Sequence, residues 1–222
     1  MNVLAIGAHP DDIEFGCGGS LYLYTQRGHQ VFLLILTEGE SGGIGSVRRT
    51  EQLIAAKILG AKESFFGDYV DTQIPVDKIL ISKIEAVLQK IKPDMIFVNY
   101  HDDTHQDHRN LAMATTSATR YVRNVLFYEG PTTQNFIPNV YVDITTALNE
   151  KLSALSAHTS QVPKTNIEGL SILEIAKSAA NFRGIQGRVR YAEGFVSERL
   201  FLFPPPIDGF FPIIRQKRLK TH

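Results

Sequence analysis

Short apolar runs alternate along this chain with stretches in which apolar residues recur every three or four positions. Val3-Leu4-Ala5-Ile6-Gly7 is such a run, closed by a turn signal, and reads as a strand buried on both faces. Gly16-Cys17-Gly18-Gly19-Ser20 leads into Leu21 to Arg27, a helix ending near Gly28. Val31 to Leu36 is a second buried strand, and Glu38 to Ser46, with four glycines, predicts a mobile loop. Val47 to Leu59 has helical spacing, with Leu53, Ile54, Ile58 and Leu59 on one side, and stops at Gly60. Ser64-Phe65-Phe66 predicts a third strand. Ile79, Ile84, Val87, Leu88 and Ile91 mark a helix that stops before Pro93, and Met95 to Val98 a fourth strand. His105 to Val122 reads as a helix and Val125 to Tyr128 as a further strand.

Beyond residue 130 the pattern is less regular. Asn139 to Ile144 reads as a strand, Ala147 to Ala157 and Ser171 to Phe182 as helices, and Arg199 to Phe203 as a last strand before Pro204-Pro205-Pro206. Continuous apolar strands alternating with helices predict the α/β class: a Rossmann-like, mostly parallel sheet with helices on both faces. No repeat or low-complexity linker divides the chain. Residues 1–203 therefore read as a single α/β domain and residues 204–222 as a Pro-rich, basic tail. The apolar Phe210-Phe211-Pro212-Ile213-Ile214 within that tail predicts a homo-oligomer, because left exposed it favours association.

Composition narrows the partners. Among 222 residues, 23 basic side chains balance 23 acidic ones, which argues against a nucleic acid held by a basic field. A lone Cys17 excludes an intrachain disulfide and favours a reducing compartment. The apolar runs fall far short of the ~20 residues that span a bilayer, and the N-terminus lacks a basic leader region. These features predict a soluble, cytoplasmic protein with no membrane or nucleic-acid partner.

Chemistry concentrates at two places. Ala8-His9-Pro10-Asp11-Asp12 follows the first strand directly, where open α/β sheets bind ligands. Adjacent carboxylates beside an imidazole call for a positive charge, and a divalent metal such as zinc, iron or manganese supplies it. A solvated turn with a helix-capping aspartate would look the same. The fourth strand runs into Asn99-Tyr100-His101-Asp102-Asp103-Thr104-His105-Gln106-Asp107-His108, again beyond a strand's carboxyl end. His105 and His108 share a helix face if the helix has begun. Together the clusters can offer two imidazoles and one carboxylate to a metal and leave a position open, which is the catalytic zinc pattern. A carboxylate and an imidazole remain for proton transfer.

Ala8-His9-Pro10-Asp11-Asp12-Ile13-Glu14-Phe15-Gly16-Cys17-Gly18-Gly19 resembles the A-H-P-D-D-x-E-x-G-x-G-G signature of the PIG-L/LmbE-like family of zinc-dependent N-acetylglucosaminyl deacetylases. The family's second signature, H-P-D-H, corresponds to His105-Gln106-Asp107-His108, with Gln106 in place of proline. The likeness extends to Arg48 and Glu51 and to Tyr191-Ala192-Glu193-Gly194-Phe195. It implies an LmbE-like fold, His9, Asp12 and His108 as metal ligands for Zn2+ or Fe2+, and Asp11 as general base. It further implies His105 as general acid or oxyanion stabiliser, with Tyr191 helping, Arg48 as a substrate-binding residue, and a small-molecule amino-sugar substrate. Spacing alone does not tell Asp11 from Asp12, or His105 from His108.

Other readings compete. Strand, glycine cluster, helix, second strand and Glu38 mimic a dinucleotide site, but Gly16-Cys17-Gly18-Gly19 lacks the G-x-G-x-x-G spacing and two aspartates oppose a pyrophosphate. A non-catalytic metal- or carbohydrate-binding protein leaves Asp11 and His105 without a task. An iron oxygenase with two histidines and a carboxylate calls for a β-barrel. Glu14 and Asp107 read either as ligand-orienting or as solvated acids, and His101 and His158 as structural or rim residues.

Overall fold

The computed structural model describes residues 1–201. The elements run β1 (Asn2–Gly7), α1 (Asp12–Gln26), β2 (Gln30–Thr37), α2 (Gly45–Ile58), β3 (Glu63–Tyr69), α3 (Lys78–Ile91), β4 (Met95–Asn99), α4 (Gln106–Ala118), β5 (Val125–Tyr128), β6 (Val140–Asp143), α5 (Leu148–Ser156), α6 (Ile172–Gly187) and β7 (Ala192–Arg199), with a single 3-10 turn at Glu40–Gly42. One sheet takes them in the order β3-β2-β1-β4-β5-β7-β6. The first five are parallel, and β7 runs antiparallel to both β5 and β6. The α/β, mostly parallel architecture is the one the apolar pattern predicts.

Alternate residues of each strand feed opposite faces, as the two-residue period requires. Leu4, Ile6, Leu34, Ile96 and Val98 pack with Leu80, Ile84 and Leu111 of α3 and α4. Val3, Ala5, Leu33, Ile35 and Phe97 pack with Ile13, Cys17 and Leu21 of α1 and Ala55 of α2. Both faces are covered, so the strands read as unbroken apolar runs. The strand order reverses between β1 and its neighbour β4, which opens a crevice beyond their carboxyl ends. That reversal brings the two chemical clusters, far apart in sequence, to one place.

Two expectations are corrected. Among the described residues the last strand is Ala192–Arg199, earlier than the expected Arg199 to Phe203, of which residues 202–203 lie outside the described residues. It lies between β5 and β6, and Glu193, buried there on polar partners, breaks the apolar pattern that marks a strand. The second concerns α2. Leu53 and Ile54 are about half exposed, whereas Arg48, Glu51 and Gln52 are buried. The N-terminal part of this helix turns a polar face inward because the site lies beneath it, while Ala55, Ala56 and the expected Leu59 pack in the apolar core. Residues 204–222, which carry the expected tail and the oligomer-forming segment, lie outside the described residues.

Candidate active site

The turn from β1 into α1 carries His9, Pro10, Asp11 and Asp12. Asp11 precedes the first helical residue with φ 95° and ψ −25°, a left-handed conformation that costs a non-glycine residue about 1–3 kcal/mol. Arg48 of α2 holds this turn. Its guanidinium donates to the carbonyls of Gly39 at 2.6 Å and Pro10 at 2.7 Å, and lies 3.4 Å from Asp11 Oδ2. Gly39 is itself left-handed, with φ 67°, and a Cβ there would meet Arg48 Nη1 at 2.0 Å. Arg48 is 5% exposed, and its two terminal nitrogens reach the turn and the glycine loop.

Asp12 stands between two imidazoles. Its Oδ2 accepts from the His9 backbone N–H at 2.9 Å and lies 3.5 Å from His9 Nδ1, while Oδ1 lies 3.2 Å from His108 Nε2. His108 is buried in α4. Its Nδ1 is 3.2 Å from Asp103 Oδ2, yet neither ring nitrogen meets its carboxylate in hydrogen-bond geometry. His105 caps α4, its Nδ1 accepting from the Asp107 N–H at 3.2 Å. The ring centroids of His9, His105 and His108 lie 4.5–5.3 Å apart. The structure therefore brings together His9, Asp11, Asp12, His105, His108 and Arg48.

Further carboxylates orient the rings. His9 Nε2 is 3.2 Å from Asp107 Oδ2 and 2.9 Å from Asp71 Oδ1. Asp107 is fully buried and takes the N–H groups of Thr72 and Ile74. Asp71, just past β3, takes the Ser41 N–H. Asp103 takes the His105 N–H and the hydroxyls of Thr132 and Thr133. Behind Asp11, Gln52 donates to Glu14 at 2.7 Å, and Glu14 Oε2 lies 3.3 Å from the buried His158. The sequence reading missed Asp71, Asp103 and Gln52. Position beyond a strand end was the available signal for Asp71, and membership of the second acidic-histidine run for Asp103.

Charge follows from these contacts. Burial pushes the His9 imidazole down, but Asp107, Asp12 and Asp71 reverse this and hold its pKa well above the ordinary value. Burial opposes charge on His108 too, and Asp12 and Asp103 raise it to about 9. Asp12 is held well below the usual carboxylate range, burial being outweighed by His108 and His9. Burial pushes Asp11 up to about 6 against the pull of Arg48 and His158. His105 moves the other way, lowered by burial and by the neighbouring His9 and His108.

A metal fits this donor set. Two imidazoles turn one nitrogen each, His9 Nδ1 and His108 Nε2, to the same carboxylate, and both nitrogens of the buried His108 lack a hydrogen-bond partner. Ligand atoms of His9, His105 and His108 also lie within 4.8 Å of one another, as do those of His9, Asp71 and Asp107. In these sets His105 has Nδ1 engaged at its helix start and Asp107 also takes two backbone N–H groups, whereas Asp12 lies between His9 Nδ1 and His108 Nε2.

Tyr191 stands apart. It packs at the edge of a cluster of Ile144, Ala147, Leu148 and Ala180, beside Tyr22 and Leu23 of α1. At 1.5 Å per helical residue, Tyr22 is roughly 15 Å along α1 from Asp12. The structure does not bring Tyr191 to the cluster of His9, Asp12 and His108. Of the same motif, Glu193 is the member whose side chain hydrogen-bonds the backbone of α1.

Comparison with known proteins gives the setting. A family profile described as PIG-L, GlcNAc-PI de-N-acetylase, matches residues 4–119. An uncharacterized deacetylase, YaiS, of Escherichia coli is 36% identical over 167 residues, 71% of this chain and 90% of that protein. The solved N,N'-diacetylchitobiose deacetylase of Pyrococcus horikoshii superposes with a TM-score of 0.79 at 27% identity, covering 93% of this chain and 87% of the other. A 4-oxalmesaconate hydratase of Pseudomonas putida is 22% identical over 246 residues, 97% of this chain and 91% of its own.

Proposed function

The chain belongs to the PIG-L family, and from that membership we propose that it hydrolyses the N-acetyl amide of an N-acetylglucosamine-type substrate at a metal held by His9, Asp12 and His108. The observation that carries this reading is the Asp12 carboxylate set between two buried imidazoles, with Asp11 beside it. Zinc is the proposed ion and iron(II) the alternative. When bound, such an ion polarises the acetyl carbonyl and makes water a better nucleophile near neutral pH.

The protein's own groups do the rest. Asp11, its carboxyl raised toward neutrality, accepts the proton of the attacking water. His105, half-buried beside both ligand rings with Nδ1 accepting the Asp107 N–H, donates its Nε2–H to the developing oxyanion, and the proton taken up by Asp11 passes to the leaving amine. Arg48 keeps Asp11 in its strained turn. Asp107, Asp71 and Asp103 fix the ligand rings through their far edges. The products are acetate and a free amino sugar.

The substrate is an N-acetylglucosaminyl conjugate, such as a thiol precursor, another N-acetyl amino sugar or a glycan intermediate. Among the described residues no helix is long and apolar enough to cross a membrane. The test is acetate release across a panel of N-acetylglucosamine conjugates, before and after chelation. Chelator-sensitive release from at least one member is expected. The hydratase relative makes water addition to an unsaturated acid the rival, and turnover of such an acid with no acetate from any sugar would overturn the deacetylase reading.

A further inference from the structure

A buried ion pair lies across the middle of α1, away from the ligand cluster. Lys151 of α5 and Glu193 of β7 have side chains 2% and 3% exposed, with Nζ 2.6 Å from Oε1. Neither side chain touches a metal ligand. Both act on the backbone of α1. The ammonium donates to the carbonyls of Glu14, at 3.2 Å, and Phe15. The carboxylate accepts from the N–H groups of Gly19 at 2.9 Å and Ser20 at 2.8 Å.

These positions are not arbitrary. In an α-helix the Gly19 N–H and the Phe15 carbonyl are the two ends of one ladder bond. The ion pair grips both ends of that bond at once. Lys151 runs along α1 at Gly18, where a Cβ would stand 3.6 Å from Lys151 Cγ, an ordinary contact distance. Buried ion pairs contribute little net stability, because desolvation offsets their attraction, and in some proteins buried polar groups instead set register. Here the register is that of the first turns of α1, which carry Asp11 and Asp12.

We propose that Lys151 and Glu193 are positioning residues for the deacetylase site: by clamping the Glu14–Ser20 backbone to α5 and β7, they set where the Asp11-Asp12 end of α1 stands against His108. This rests on the deacetylase reading. It also gives the Tyr191–Phe195 motif a task that Tyr191, packed at a distance, does not perform. A misplacement of about 1 Å at a reacting group costs about 10²-fold in rate, so a small rotation of this helix end is enough to matter.

The test is the double variant Lys151→Met/Glu193→Gln. It removes both charges together and so leaves no unpaired buried ion, and Gln keeps an acceptor for α1. Glu193→Asp, which keeps the charge and shortens the reach, is the second variant should the first fail to fold. Circular dichroism and thermal melting establish folding. Then kcat and KM, well below the melting temperature, and metal affinity by chelator competition are compared with the parent. The expected result is a native spectrum, kcat lower by about tenfold or more with KM little changed, and weaker metal binding. Amide exchange at Gly16–Ser20 should quicken. A folded variant whose kcat and metal affinity both stay within about twofold of the parent would overturn the proposal and leave the pair a purely structural clamp. A parent that binds metal yet releases no acetate counts against the deacetylase reading alone, and the metal-affinity comparison still decides this one.

Discussion

Asp11 and Asp12 differ by one position in the chain and by everything in their surroundings. Asp12 faces two imidazoles and stays ionised; Asp11 faces burial and a shared guanidinium, and sits near neutrality. Asp11→Asn is nearly isosteric and should keep the metal while lowering kcat by about 10²–10⁴, the usual worth of a general base. Metal content and turnover on the same sample check this, and near-parental turnover would pass the role to another group. Arg48→Ala should lower kcat more than it raises KM, the reverse of what a sugar-binding arginine would do, because its donors hold the Asp11 turn. Steady-state kinetics with the best substrate separates the two. Metal binding carries a pH signature. His9 and His108 hold protons in the metal-free protein, with His108 at about 9, and binding must release them. Affinity should therefore climb with pH, by about tenfold per unit for each proton released, and keep climbing above pH ~7. Ordinary histidines, with pKa ~6.5, would level off there. Chelator competition across that range distinguishes the outcomes.

At the scale of elements, α1 and α2 were both legible as helices, and α2 was misread in what its N-terminal part faces. The helical period of α2 assigned Leu53 and Ile54 to the interior, because apolar residues are the usual mark of a buried face. Arg48, Glu51 and Gln52 occupy it instead, and Glu51 binds Thr159 and Ser160 of the segment after α5. For α1, three glycines in four positions mimic a dinucleotide site, yet they are helical, and Gly16 and Gly19 make room for Tyr128 and Ile144. Gly16→Ala would push a Cβ into the Tyr128 ring, which is itself bonded to Asn99 and the Ile6 carbonyl behind the site. It should destabilise the fold by about 1–3 kcal/mol, the range for overpacking, and chemical denaturation measures this.

At the scale of the molecule, the strand order decides the chemistry. β1 and β4 are neighbours in the sheet, and the crevice at their ends gathers residues from the β1, β3 and β4 loops. The turned-out face of α2 leaves Ile44, Val47, Leu53 and Ile54 exposed, next to the glycine loop. The homo-oligomer expected from the C-terminal apolar segment has in this stripe a second basis among the described residues. Light scattering should report an assembly for the parent and a smaller species for Leu53→Lys/Ile54→Glu, with folding unchanged since both residues face water. A monomeric parent would remove the expectation.

The sequence by itself determined the order of strands and helices, the parallel sheet covered on both faces, and the two clusters at strand ends. These are local properties: an apolar run of five residues or a His-x-x-His spacing is written in adjacent positions. The resemblance to a known family then separated Asp11 from Asp12. What only the tertiary structure decided is which polar groups meet. Asp103 reaches His108, Asp71 and Asp107 reach His9, and Glu193 reaches Gly19 across 174 residues. Hydrophobic periodicity reports whether a side chain avoids water. It does not distinguish burial against an apolar core from burial against a polar site, and so it is silent where this protein does its chemistry.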